Sequence, residues 1–499
     1  MRRSTILVSL AVCLGATLLA GCSDSSDPKT STTRSSTPAR AEPLSLSLLV
    51  FNVEYGGSRA TNQVIADLDA DVVGVLESYN KLPEIAEAAG YPYYNVGLQI
   101  LSKYPILEPS GADGLYSFIE VRPGEGVAMI NTHLDYVQDG PNRLGRGVPV
   151  ADVLATEEEV RLSSIRKLLP SATRLLGEGW PVLFTGDLNQ PSHLDWTSAT
   201  AAQNGGVGPV DWPVSEALAE AGLKDAYREA NPDATTHPGY TWGQVAGSKG
   251  SPRRIDYAYV GGPSQVVSSE VVGETGGEGV DRDYPKWTSD HRAVFSRLSV
   301  TPSPVPPTVA LSSRLVTVGD DVTVTYRMPE GVDGGTVTLT GPSSESYDAP
   351  DASGNVQVQT NELTGGRYRV DLVDGDDVVA SNDLHVRPRA AQVDLTTDAP
   401  TYAVGDQISV RWADGPANRW DWIGVYRDDA DDPGNDDFLV WGYTGGHDAG
   451  ALPPTTEGAL ILGRDHQGKP WPLPPGQYTA HYLLTDQYVS VGSTTFTVR

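Results

Sequence analysis

The feature that most constrains this chain is a change of pattern at residues 301–307, TPSPVPP. Before it, apolar strands alternate with stretches of helical spacing. After it, helical periodicity is absent and short strands run between Gly, Asp and Pro turns. A single layered core cannot serve both patterns, so the sequence predicts an α/β domain followed by all-β structure. The second part also repeats itself. Val309–Arg327 (VALSSRLVTVGDDVTVTYR) matches Val393–Trp412 (VDLTTDAPTYAVGDQISVRW), and Gly365–Arg387 matches Pro475–Arg499. The spacing between copies grows along the repeat, which places an insertion in the second. Each copy has the length of an immunoglobulin-like β-sandwich, although no cysteines are available for an inter-sheet disulfide. The expected organisation is an α/β domain over 44–300 and two immunoglobulin-like sandwiches over 308–389 and 390–499. The proline-rich linker is expected to be a boundary that few contacts cross.

The N-terminus reads as a targeting segment. Arg2 and Arg3 precede an apolar run from Ile6 to Ala20, the right length for a signal peptide and short for a membrane span. The run ends in Leu19-Ala20-Gly21-Cys22, which resembles the lipobox of bacterial lipoproteins and implies lipidation at Cys22. Residues 1–22 would then be the lipoprotein signal peptide and 23–43, rich in Ser, Thr, Pro and Asp, a tether. The expectation is an exported protein held to the membrane by its lipid, facing outward. Cys13, the one other cysteine, would leave with the peptide, so no disulfide is expected.

Charge narrows the function. The chain has a net charge of −28, with −14 in residues 44–300 and −16 in 301–499. Binding a polyanion by charge alone is excluded, while catalysis on one with metal ions in between is not.

Within 44–300 the chemistry sits where apolar strands meet polar residues. Leu46–Val53 runs into Asn52, Val72–Leu76 ends at Glu77, Val127–Thr132 at His133, and Val182–Thr185 leads to Asp187 and Asn189. Asp256, Asp290 and His291 follow on the last two strands, Ile255–Val260 and Ala293–Leu298. Loops leaving strand ends of an open α/β sheet converge on one rim, so these residues are expected together. Carboxylates, amides and imidazoles in one place suit a hard cation and a phosphate. A helix is expected to start at a capping box made by Thr156 and Glu159.

The segments FNVEYG (Phe51–Gly56), GVLE (Gly74–Glu77), ILSKYPI (Ile100–Ile106), NTHLD (Asn131–Asp135), GDLN (Gly186–Asn189), RIDY (Arg254–Tyr257) and SDH (Ser289–His291) occur in this order. Together they resemble the endonuclease/exonuclease/phosphatase superfamily, whose members include pancreatic-type deoxyribonuclease, sphingomyelinases and inositol-polyphosphate 5-phosphatases. The resemblance implies a four-layer α/β/β/α sandwich. It also implies that Glu77 ligates Mg²⁺ (or Mn²⁺), with Asn52 beside it and Asp290 near the metal. Asp187 would position or deprotonate the attacking water, and Asn189 would bind a phosphate oxygen. His291, paired with Asp256, and His133 would stabilise the pentacovalent phosphate.

Around these, His193, Tyr240 and Trp242 are candidates for substrate contact, as are Arg143 and Arg146 for an anionic head group. The leading expectation is a metal-dependent phosphodiesterase acting on a small or lipid phosphodiester. The alternatives are a secreted-type nuclease, for which nucleic acid would be substrate only, and a non-catalytic scaffold whose sandwiches contact cell wall or glycan. Trp420, Trp422, Trp441 and Tyr426 are expected to be mostly core aromatics, and the acid-rich loop Asp428–Asp437 a solvated turn.

Overall fold

A computed structural model describes residues 42–499 except 80, 113, 244, 246–250, 389–391, 428–432, 434–437, 445–454, 465–466, 469–470 and 486–487. The signal segment, Cys22, most of the tether and nearly all of the acid-rich loop lie outside the described residues.

Two sheets stack at the centre of the N-terminal part. In the first, the strand Leu44–Asn52 lies between Ala293–Val300, antiparallel, and Val72–Leu76, parallel. In the second, Glu125–His133 and Val182–Asp187 run parallel, and Asp256–Gly261 pairs antiparallel with the latter. Leu44–Asn52 is continuously apolar from Leu48 to Phe51 because both of its faces are buried there. Leu46, Leu48 and Val50 meet Val127, Met129 and Leu183 of the facing sheet. Leu49 and Phe51 instead pack under the helices Arg59–Leu68 and Leu82–Ala89. On the far side, Ile130 and Phe184 are covered by Ile165, Leu168 and Ala172 of the helix Ser163–Gly177 and by Val214 and Leu218 of Pro213–Glu220. Four layers result, helix, sheet, sheet, helix. At their middle a Cβ on Gly74 would lie 2.5 Å from Thr185 Oγ1 and 2.7 Å from Asn131 Oδ1, so only glycine lets the sheets approach so closely there.

The expected capping box does not form. The helix begins earlier, at Val150 behind Pro149, and Thr156 Oγ1 donates to the Asp152 carbonyl inside it. A π turn over Glu158–Leu162 then joins Val150–Glu157 to Ser163–Gly177. Glu157 and Arg161, both fully buried, pair at 2.8 Å across this junction. That buried pair is not visible in any local cap signal.

The repeat is visible in topology. Residues 308–387 form a three-stranded sheet (Thr308–Leu311, Asp321–Arg327, Ser353–Gln359) facing a five-stranded one around a single core. Residues 394–498 do the same, with Asp394–Thr397, Ile408–Ala413 and Gly458–Leu462 facing six strands. In both copies a short strand pairs parallel with the last strand, Leu315 beside His385 and Thr401 beside Thr497. Trp420, Trp422 and Tyr426 are buried in a cluster with Tyr443 and Leu483, where Trp441 joins them half-buried.

The linker is not the sparse boundary its prolines predict. Ser303–Pro304 pairs antiparallel with the start of Glu125–His133, an inner strand of the second sheet, beside Gly126 and Glu125, and Val305 N donates to the Gly124 carbonyl at 2.8 Å. Val305 and Ala310 are buried in the same core as Phe118. Arg327 of the first sandwich pairs with Glu120, both largely buried. Proline removes a donor but does not stop a segment from burying its side chains. Ala41–Arg499 accordingly group as one contact unit.

Candidate active site

The parallel register sets Asn52 beside Leu76, the residue before Glu77, and His133 beside Asp187. Asp256 pairs with Asp187 across an antiparallel ladder, so it opens its strand rather than closing it. Asp290 and His291 likewise precede Ala293–Val300, which is antiparallel to Leu44–Asn52. The rim thus gathers the ends of parallel strands and the starts of antiparallel ones. The pattern predicts all of these residues at strand C-terminal ends, and the antiparallel direction of two strands puts Asp256, Asp290 and His291 at strand starts instead.

Asn52, fully buried, donates from Nδ2 to Glu77 Oε1 at 3.0 Å and to Asp187 Oδ2 at 3.1 Å. Its Oδ1 accepts the Glu54 backbone N–H at 3.1 Å. As placed, Asn52 orients two carboxylates, and its oxygen is already engaged by the backbone. Glu77 Oε2 accepts the Tyr55 N–H at 3.1 Å. Asp187 Oδ1 takes the Asn189 N–H at 2.9 Å, while its Oδ2 lies 3.5 Å from His133 Nε2 and 3.7 Å from His291 Nε2. Asn189 Nδ2 lies 3.1 Å from His133 Nε2 and donates to the Leu134 carbonyl. His291 Nδ1 meets Asp256 Oδ2 at 2.9 Å, and Ser289 Oγ, donating to the Asn52 carbonyl, accepts the His291 N–H.

Electrostatics follow from crowding. Burial by itself lowers a histidine, but Asp256, by charge and hydrogen bond, and then Asp187 and Asp290 outweigh it and push His291 up to about 10. Burial pushes Asp256 up to about 6 against the pull of His291. The attraction between the two favours the imidazolium–carboxylate form of the pair. Glu54 is raised as well, by burial first and then by Asp290 and Glu77. The rim holds more negative charge than its own cations balance.

Backbone strain concentrates here too. Glu54, Tyr55, Glu77, Tyr79 and Asn189 all sit at positive φ, between 40° and 58°. Each such non-glycine residue costs on the order of 1–3 kcal/mol and persists only where its surroundings hold it.

The outlying candidates separate into two groups. Trp242 belongs to the rim. Its Nε1 donates to Asp290 Oδ2 at 3.3 Å, and Arg253, which pairs with Asp139, lies 4.4 Å over its ring. Arg143 sits on the short helix Gly140–Gly145 capped by that same Asp139. Its Nη1 is buried without a hydrogen-bond partner among the described residues. Arg146 is exposed just beyond. His193 is tied instead to Ser215, with Nδ1 2.8 Å from Oγ. Its neighbour Asp195 bridges Arg228 and Arg254 in a buried ion network. That network holds the loop, and Asp195 is taken up by it. Tyr240 is half-buried, and its carbonyl accepts from Arg292.

Residue-by-residue reading missed Tyr55, Tyr79 and Tyr136. They are 75%, 37% and 62% exposed, and Tyr55 and Tyr79 stack with ring centroids 6.1 Å apart. The signal was adjacency. Tyr55 is three residues from Asn52, Tyr79 two from Glu77 and Tyr136 three from His133.

Asp187, Asp256 and His291 offer ligand atoms within 4.8 Å of one another and could hold a metal ion. His291 Nδ1 and Asp256 Oδ2 are spent on each other, while Asp256 Oδ1 has no hydrogen-bond partner among the described residues, so the oxygens lining the place a cation would take are those of Glu77, Asp187, Asp256 and Asp290. They are hard donors, suited to a small divalent cation, and the excess negative charge at the rim fits one.

Comparison with known proteins places this geometry. A family model described as "Endonuclease/Exonuclease/phosphatase family" matches residues 49–291. An uncharacterised protein of Caenorhabditis elegans is 30% identical over 291 residues, covering 50% of this chain and 90% of that one. Among solved structures, an endonuclease/exonuclease/phosphatase from Beutenbergia cavernae is similar at 17% identity. It covers 68% of this chain and 99% of its own, with a TM-score of 0.33. The 3'-5' exonuclease of Neisseria meningitidis is also 17% identical, covering 50% and 98%, with a TM-score of 0.30.

Proposed function

Because the chain belongs to the endonuclease/exonuclease/phosphatase family through residues 49–291, we propose that it hydrolyses phosphodiesters with a divalent metal ion, Mg²⁺ or Mn²⁺. The observation that carries this is the rim itself, where Glu77, Asp187 and Asp290 converge beside one paired histidine. Glu77 and Asp290 would hold the ion, with Asn52 keeping Glu77 in place. The ion would supply charge neutralisation on the phosphoryl oxygens. Asp187, nearly fully buried between two imidazoles, positions the attacking water and accepts its proton. His291, held charged by Asp256, donates toward the phosphate, and His133 and Asn189 present a second set of donors. Attack is in line, and no covalent enzyme intermediate is needed.

The substrate is a small or lipid phosphodiester. A domain charge of −14 disfavours long polyanions, and the exposed faces of Tyr55, Tyr79 and Tyr136 suit a ring or an apolar group on the substrate. The nuclease reading is distinguished by assay. The protein with Mg²⁺ is tested on an aryl phosphodiester, sphingomyelin, phosphoinositides, RNA and duplex DNA, with and without chelator. Small and lipid diesters should be cleaved faster than either nucleic acid, and chelation should abolish all turnover. Full activity in chelator would sink the metal-dependent reading.

The chain acts at the outer cell surface, anchored through Cys22. The basic-apolar leader and its Leu-Ala-Gly-Cys end support this. Fatty-acid labelling should disappear in a Cys22→Ser protein, and unchanged labelling would refute the anchor.

A further inference from the structure

We propose that the second β-sandwich completes the catalytic site, with Arg419 as a positioning residue for Glu77. The turn Asn418–Asp421 is built by Asp421, whose buried carboxylate accepts from Asn418 N and Nδ2, Thr485 N and Tyr482 Oη, all between 3.0 and 3.2 Å. This turn delivers two side chains into the α/β domain. Arg419, 3% exposed, donates from Nη1 to the Gly97 carbonyl at 3.2 Å and from Nη2 to the Asn131 carbonyl at 3.1 Å. Trp420 Nε1 donates to the same Gly97 carbonyl at 3.0 Å.

Both segments gripped in this way support the backbone that carries Glu77. Two residues after Gly97, Gln99 accepts Ser78 N and Oγ on its Oε1 at 3.0 and 2.8 Å. Asn131 donates from Nδ2 to the carbonyls of Val75, Leu98 and Gln99. Val75–Ser78 is thus held on both sides by groups that Arg419 fixes. Glu77 lies between, in the left-handed region at φ 58°, and Gln99 is also left-handed at φ 52°. Two strained residues, linked through the bonds of Gln99 to Ser78 and Val75, need outside restraint, and a guanidinium fork spanning two carbonyls is a rigid one. Burying an arginine this deeply is tolerated only where well-placed acceptors offset its desolvation.

The proposal rests on Glu77 as a metal ligand, so the test reads metal binding directly. Mn²⁺ is titrated calorimetrically into the full chain and into Arg419→Ala, Arg419→Lys, Trp420→Phe, Glu77→Gln and Arg411→Ala. Arg411 is an exposed arginine of the same sandwich. Thermal unfolding and hydrolysis of bis-(4-nitrophenyl) phosphate are followed in parallel. Arg419→Ala should raise the Mn²⁺ dissociation constant at least five-fold and lower kcat with KM little changed. Arg419→Lys, which can reach one carbonyl, should fall between it and the natural protein, and Trp420→Phe should shift less. Arg411→Ala should match the natural protein. A folded Arg419→Ala or Arg419→Lys protein with natural Mn²⁺ affinity overturns the proposal, even if its unfolding temperature falls. Glu77→Gln binding Mn²⁺ as the natural protein does would overturn it along with the ligand assignment beneath it.

Discussion

Asp187→Asn should collapse turnover by about 10²–10⁴, the usual cost of removing a general base, while Mn²⁺ still binds within a few-fold of the natural affinity. The change is nearly isosteric, and Asp187 Oδ1 can be replaced by the amide oxygen as acceptor for the Asn189 N–H. What the amide cannot do is take a proton, or accept from Asn52 Nδ2 with the nitrogen it must place at 3.1 Å. It also removes one of the carboxylates that raise His291, so the imidazolium should lose its proton at lower pH than in the natural protein. Two readouts therefore move together, kcat and the alkaline limb of the pH profile. An Asp187→Asn protein with close to natural kcat would sink the mechanism.

The rim was legible because each of its residues breaks an apolar strand or the approach to one, and strands in α/β sheets deliver such residues to a common edge. Asn52, Glu77, His133 and Asp187 could be read in this way from position alone. Direction could not be read. Asp256 and His291 reach the same edge from antiparallel strands, which periodicity does not distinguish from parallel ones. The fate of loop charges was also hidden. His193 reads as a substrate contact until its tie to Ser215, and the enclosure of its neighbour Asp195 by Arg228 and Arg254, are seen. The expected helix start fails because Thr156 and Glu159, though they carry a cap spacing, lie in a chain already helical from Val150, where Thr156 Oγ1 bonds back to the Asp152 carbonyl. Arg419 lies 288 residues from the carbonyl it binds in Asn131. No local pattern records such a contact, and the proline-rich linker argued against it.

A chain ending at Thr301 should consequently fare far worse than its sequence suggests. Read from pattern alone, the α/β domain is complete by Val300 and should keep its rate on a small diester without the sandwiches. The structure gives three reasons to expect otherwise. Loss of Val305 and Ala310 uncovers part of the core around Phe118, and exposing a buried valine alone costs about 1.5–3 kcal/mol. Loss of Arg327 removes the ion-pair partner of Glu120, which is 8% exposed in the full chain and keeps a bond from Gly124 N, and breaking a buried pair costs up to about 3–5 kcal/mol where the remaining charge stays shielded from water. Loss of Arg419 and Trp420 frees the carbonyls that steady the Glu77 segment. The first two together amount to several kcal/mol, and at roughly 2–4 °C per kcal/mol for a domain of this size the midpoint of unfolding should fall by about 10–20 °C. The inter-sheet core and both helix layers remain, so the fragment should still fold at low temperature. Its hydrolysis of an aryl diester should be at least ten-fold slower there, because the third loss acts on the site and not on the fold. A fragment that melts with the full chain and turns over at its rate would show that the linker and the sandwich contacts carry neither stability nor chemistry.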